Sequence, residues 1–322
     1  MGNERGNADA LILDNYIPAD GDYIVVKKDG SVVKCSIKMD KKAGRPVKDL
    51  SDGDSQYEDI VFYDYHSRLV SMDKPQDPKK VIHSNNYLSF WVKKESLTNG
   101  KLNMEGIDRY FDILSNPRSK YKNAKDSKMY DYIFPVVGEV NQEKLEQCRN
   151  WIKQHIFNMQ DLGIDTSGKN YLKVFFEDDR DLYINEEKRY LMTKIYNKND
   201  YNIDIDEQIY GLPNDNLALN SKKPYMEHKT RKNVVPYLIT PEEAATQRKF
   251  FDYLMNEANR GYTNIFFDSD EDEIIPKKPG EFITDDFSGF FIQIQKGKEL
   301  SIQHQDAIVD YKYNLYKHFQ YR

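Results

Sequence analysis

Tyr23 to Lys38 reads YIVVKKDGSVVKCSIK. Two runs rich in β-branched residues flank Lys28-Asp29-Gly30-Ser31, and Asp-Gly between such runs is a strong hairpin signal. Outward from it, Ile60–Tyr65 predicts a further strand and the polar residues 41–55 predict a loop, so residues 1–70 read as a small antiparallel sheet. The far end looks similar. Asn264–Phe267 and Glu273–Ile275 predict strands joined by an acidic turn, and Phe290–Lys296 with Glu299–Gln303 predict a hairpin over Gly297-Lys298.

Helical signals lie between. Ser84 can cap a helix through Leu88, Trp91 and Val92, stopped by Asn99-Gly100. Met104, Ile107, Phe111 and Leu114 follow helical spacing up to Pro117, and Arg118–Asp131 reads as a lysine-rich loop with one helical turn. Asn141 caps a helix carrying Leu145, Cys148, Trp151, Ile152, His155, Ile156 and Met159 on one face, closed by Gly163. Leu172–Phe176 predicts a strand, while Arg180–Ile195 suits strand or helix. Thr240-Pro241-Glu242-Glu243 combines an N-cap threonine, a first-turn proline and a capping-box glutamate, opening a helix that ends at Arg260-Gly261. The expected class is α+β, with small antiparallel sheets at both ends and a helical middle. The expected divisions are an N-terminal sheet region over 1–80, a helical region over 81–168, and an α+β region over 169–322.

Composition narrows the function. The 322 residues are 31% charged yet include 24 Tyr and 16 Phe, which argues for a packed core. No apolar run is long enough to cross a bilayer, and the start MGNERGNADA lacks a signal peptide's apolar stretch, so the expectation is a cytoplasmic protein without membrane partners. Cys35 and Cys148 fit no metal or disulfide framework. The histidines are scattered without ligand spacing, no Gly-rich phosphate loop is present, and Ser288-Gly289 lacks a nucleophile elbow's first glycine. Asp268, Asp270, Glu271, Asp272 and Glu273 miss the calcium-loop pattern and read as a solvated turn. No enzyme, metal or cofactor is expected.

One segment departs from the acidic background of net charge −6. Asn220–Lys232 holds Lys222, Lys223, Lys229, Arg231 and Lys232 against Glu227 alone, with Tyr225 and His228 interleaved and Asn216 just before. Lysine and arginine neutralise phosphates, aromatic rings stack on bases, and asparagine amides match base edges. The same run also suits a solvated surface loop. Asn85, Asn86, Lys93 and Lys94 form a weaker second patch, equally compatible with solvated lysines on a first helical turn.

Several stretches together resemble the large subunit of subtype I-B CRISPR interference (Cascade) complexes. They are NYIPADG (15–21), HSNNYLSF (83–90), VKKESLTNGKL (92–102), IYGLPNDN (209–216), NSKKPYMEHKTRK (220–232) and FFDYLMN (250–256), collinear with the family's order. The resemblance implies a non-catalytic subunit of antiviral defence. It would dock with backbone and handle-capping subunits, contact guide RNA and target DNA, and read the flanking motif (PAM). A separate nuclease would cut. Asn216, Asn220, Lys222 and Lys223 become the first candidates for base-edge and phosphate contacts. Lys229, Arg231 and Lys232 would be anchors, and Tyr225 or His228 stacking residues. Family members usually begin with a longer leader and extend into a further helical region, so the chain resembles a truncated large subunit. The alternative expectation is a phage- or prophage-borne homologue that acts as an anti-CRISPR decoy, occupying the slot in a defective complex.

Overall fold

The computed structural model describes residues 8–40, 45–48, 50, 54–214, 237–297 and 300–312, and the chain is α+β. Its elements begin with α1 (Ala8–Leu13), β1 (Gly21–Val26), β2 (Val32–Asp40), β3 (Arg45–Lys48), α2 (Ser55–His66), β4 (Ser89–Lys93), α3 (Lys94–Thr98) and α4 (Met104–Ser115). There follow α5 (Ala124–Val137), α6 (Gln142–His155), β5 (Tyr171–Phe176), α7 (Arg180–Lys194), β6 (Ile203–Ile205), β7 (Gln208–Tyr210) and α8 (Pro241–Arg260). The last are β8 (Asn264–Asp268), β9 (Glu273–Lys277), β10 (Phe287–Lys296) and β11 (Leu300–Tyr311). Two compact units result, residues 17–214 with 237–245 and residues 8–16 with 246–312.

The larger unit is built on a mixed sheet of order β3-β2-β1-β5-β4. The Asp-Gly hairpin forms as its sequence dictates, pairing Val26 with Val32 and Gly21 with Ile37. β1 then runs parallel to β5, Tyr23 beside Lys173, and β5 runs antiparallel to β4, Lys173 beside Trp91. These pairings join segments from all three expected sequence regions, so boundaries at 80 and 168 do not describe this unit. Central strands covered on both faces read as nearly continuous apolar runs. On one face Phe90 stacks on Phe111 of α4 and Phe176 meets Trp151 of α6. On the other, Phe175 packs against Tyr63 of α2, which stacks on Tyr183 of α7.

Four local expectations are corrected. Residues 60–65 are helical, within α2, because Asp54 accepts from the Gln56 N–H (2.9 Å) and starts a helix buried from Ile60 to His66. Ser84 caps no helix. Its hydroxyl donates to the Ser89 carbonyl (2.9 Å), turning the chain into strand β4, and only Lys94–Thr98 is helical. Residues 118–131, expected as a loop with one helical turn, enter the helix α5, which Asn123 caps by accepting from the Asp126 N–H (2.8 Å). A short strand, β3, also falls within the polar stretch 41–55.

The smaller unit carries an antiparallel sheet of order β11-β10-β8-β9. Cross-strand neighbours Ile265 and Ile292 are buried, and Phe250 of α8 packs on Phe267. Gly289 has a packing reason. A Cβ there would lie 1.9 Å from the Phe267 carbonyl oxygen, so the close approach of β10 and β8 requires glycine.

Candidate nucleic-acid interface

Asn216, Asn220, Lys222, Lys223, Tyr225, His228, Lys229, Arg231 and Lys232 lie outside the described residues. The structure does describe the chain on either side of this segment. Gly211 and Ile239 exchange both backbone hydrogen bonds (2.9 and 3.0 Å), so the chain before the segment pairs with the chain after it. The entry strand is bonded on its other side to the end of α7: the Asn197 N–H donates to the Leu212 carbonyl (2.8 Å) and the Asn214 N–H to the Ile195 carbonyl (2.6 Å). The Tyr196 hydroxyl donates to the Ile239 carbonyl (2.8 Å).

Close packing explains the Gly211 in this junction. A Cβ on it would stand 2.5 Å from Tyr196 Cδ2 and 2.6 Å from Asn202 Oδ1. Beneath it, Met129, Leu191, Ile195, Tyr196, Ile209 and Ala244 form a buried cluster with Ile239 against its edge. The exit is fixed by the expected capping box. The Thr240 N–H donates to Glu243 Oε2 (2.9 Å) and the Glu243 N–H to Thr240 Oγ1 (3.2 Å), starting α8.

The second patch is corrected. Asn85 and Asn86 are each only 1% exposed, and both amides are used inside the fold. Asn85 Nδ2 donates to the carbonyls of His66 (3.0 Å) and Arg68 (2.9 Å). Asn86 Oδ1 accepts from the Leu88 N–H (2.9 Å) and the Ser89 hydroxyl (3.1 Å), and the Tyr110 hydroxyl donates to the Asn86 carbonyl (2.8 Å). Lys94 is buried in an ion pair with Asp22, and Lys93 is half-buried at the end of β4. Amide and lysine side chains can serve a turn in the core as readily as a base edge, and here they do.

Other titratable groups are engaged locally. Lys173 is buried, its ammonium 2.5 Å from Asp64 Oδ1, 3.8 Å from the Trp91 ring centre and 5.0 Å from that of Tyr23. Burial pushes its pKa down, against the pull of Asp64. His66 Nδ1 lies 2.5 Å from Glu187 Oε2, and His155 packs on Trp151. Cys35 and Cys148 are buried free thiols, and burial pushes Cys148 up to about 12. No cluster of three or more His, Cys, Asp or Glu side chains able to hold a metal occurs among the described residues. The Asp268–Glu273 turn joins β8 to β9, with Asp268 accepting from the Asp270 (2.9 Å) and Glu271 (3.1 Å) N–H groups.

The fold also gathers charge that sequence spacing conceals. Lys74, Lys120 and Lys194 come together at the C-terminal end of α7, and each has its pKa lowered first by burial. Nothing in the sequence places these residues together. No protein-family model matches the chain, no curated protein matches it, and no solved structure matches it.

Proposed function

We propose that the chain is a non-catalytic, large-subunit-like component of a type I-B Cascade complex, contacting guide RNA and target DNA through the basic loop 210–232. The observation that carries this reading is the closed junction: Gly211 pairs with Ile239, so the chain before the cationic segment is tied to the chain after it over one buried cluster. A segment whose ends are fixed side by side loses less freedom on binding than one tethered at a single end. Its charge suits a polyanion, and its asparagines suit the sparse code of a minor groove.

The test is co-expression with the other Cascade subunits and guide RNA. Co-purification is expected. Lys222→Ala with Lys223→Ala should weaken DNA binding and lower the salt slope by about two counterions. Failure to enter the complex, or an unchanged slope, removes the proposal. A target-plasmid interference assay then gives the sign of the effect. Restored interference in a large-subunit deletion marks a working part, and reduced interference in an intact strain marks a decoy.

A further inference from the structure

Lys74, Lys120 and Lys194 form a cationic cluster in which, among the described residues, no ammonium group is in an ion pair with a carboxylate. Lys74 Nζ donates to the carbonyls of Lys194 (3.2 Å) and Tyr196. The Tyr190 hydroxyl donates to the Lys74 carbonyl (2.9 Å), fixing that lysine's backbone on α7. Lys120 Nζ donates to the Pro75 carbonyl (2.9 Å), the Gln76 carbonyl (3.2 Å) and Gln76 Oε1 (2.8 Å). The Lys194 ammonium stands 5.3 Å from the Tyr121 ring centre, a ring positioned by its hydroxyl's hydrogen bond with Thr193 Oγ1 (2.8 Å).

The carboxylates that act on these lysines are already engaged. Asp77 accepts from the Lys79, Val81 and Ile82 N–H groups, and Asp126 from the side-chain amides of Asn123 and Asn199. Asp73 accepts from the Ser71 hydroxyl. Burial, then Lys194, pushes Lys74 down to about 8 and Lys120 down to about 7. A helix C-terminus carries roughly half a negative charge, which one lysine is enough to offset. Three lysines exceed that need. Among the described residues Lys120 has three acceptors and Lys74 has two, whereas Lys194 meets an aromatic face.

We propose that Lys194 and Lys74, with Lys120 behind them, bind a phosphate group. A tetrahedral dianion would take the hydrogen bonds these two ammonium groups have left and supply the charge the cluster lacks. The Asn214 N–H donates to the Ile195 carbonyl, one residue from Lys194, so the site lies beside the described residues that precede the basic segment in sequence. The phosphate chemistry stands without that segment. Assigning the phosphate to a nucleic-acid backbone rests on the function proposed above.

The experiment uses the full chain. Thermal unfolding with inorganic phosphate, against chloride at matched ionic strength, should give a saturable rise in Tm in the wild type. Lys194→Gln should abolish the saturable part and Lys194→Arg should retain it. Any rise common to all variants reflects general exclusion of phosphate from protein surfaces. For a single-stranded oligonucleotide, Lys194→Gln should lower the salt slope by about one, independently of Lys222 and Lys223. A lost phosphate effect with an unchanged slope means a site for free phosphate, and the proposal stands even if the basic segment binds nothing. The absence of a saturable effect in the wild type overturns it. So does its persistence in Lys194→Gln, or equal protection by polyglutamate.

Discussion

Two polar regions of the larger unit treat their groups in opposite ways. Between Ser84 and Ser89, side-chain amides and hydroxyls are matched to named partners inside the chain, and Tyr110 closes the network from α4. At Lys74, Lys120 and Lys194, backbone carbonyls take some of the donors, and the carboxylates whose charge reaches them are held by other partners. Satisfied buried polar groups specify a fold, whereas concentrated buried charge is costly and shifts the pKa of its members. The resemblance to Cascade large subunits rests partly on the first kind of region: HSNNYLSF turns the chain into β4 and touches no solvent-facing site.

Mutation can break this contrast at its strongest point. Asp64→Ala leaves the Lys173 ammonium between Trp91 and Tyr23 without its carboxylate, and should cost about 3–5 kcal/mol in urea unfolding. Replacing both partners with Leu and Met should recover most of that loss, because the penalty lies in the orphaned charge. Asn86→Ala follows, at about 2–3 kcal/mol, since the Leu88 N–H and Ser89 hydroxyl lose their acceptor in a dry environment. An Asn86 variant as stable as wild type would show that the network is dispensable. Gly211→Ala comes next, at about 2 kcal/mol, because Tyr196 must move off the junction. It should also weaken DNA binding without removing any cation, which a charge-only account of the basic segment does not predict.

What the sequence revealed tracks how local each signal is. The Asp29-Gly30 hairpin, the Asn141 cap and the Thr240 capping box are encoded within a few residues and formed as expected, although the Asn141-capped helix stops at His155, and Met159 lies in a separate turn before Gly163. Ile60–Tyr65 misled because helix α2 is buried from Ile60 to His66, which erases the polar face that would mark a helix; the usable sign was Asp54, its N-cap. Ser84 misled for a different reason. A serine before an apolar run signals a cap only when its oxygen accepts a first-turn N–H, and here it donates to Ser89 instead. The α5 helix was obscured by its lysines, although Asn123 caps it and Met129, Tyr130 and Ile133 bury one side. The lysine cluster left no local sign at all. Its members are brought together by the packing of the 70–77 loop between α7 and the residues before α5, which only the fold supplies.

The smallest expected effect separates the two regions most cleanly, because the Ser84–Ser89 network has no group that titrates near neutrality and the lysines do. Unfolded lysines titrate near 10.5, whereas burial and mutual repulsion hold folded Lys74 near about 8 and Lys120 near about 7. Between those values the unfolded chain binds more protons than the folded one, so stability rises with pH. From pH 7 to pH 9 the unfolding free energy read by urea titration should therefore climb, by on the order of 1 kcal/mol once residual hydration of the ammonium groups is allowed for. Above pH 9 the buried Cys148 thiol works in the other direction, since it stays protonated in the fold while the unfolded thiol ionises. Lys120→Gln should flatten the rise, and saturating phosphate should flatten it as well, because a bound anion returns the lysines toward their ordinary pKa. A wild-type midpoint that stays level from pH 7 to 9 would mean that the carbonyls around Lys74 and Lys120 already neutralise the crowding, and the cluster would then belong with the satisfied network.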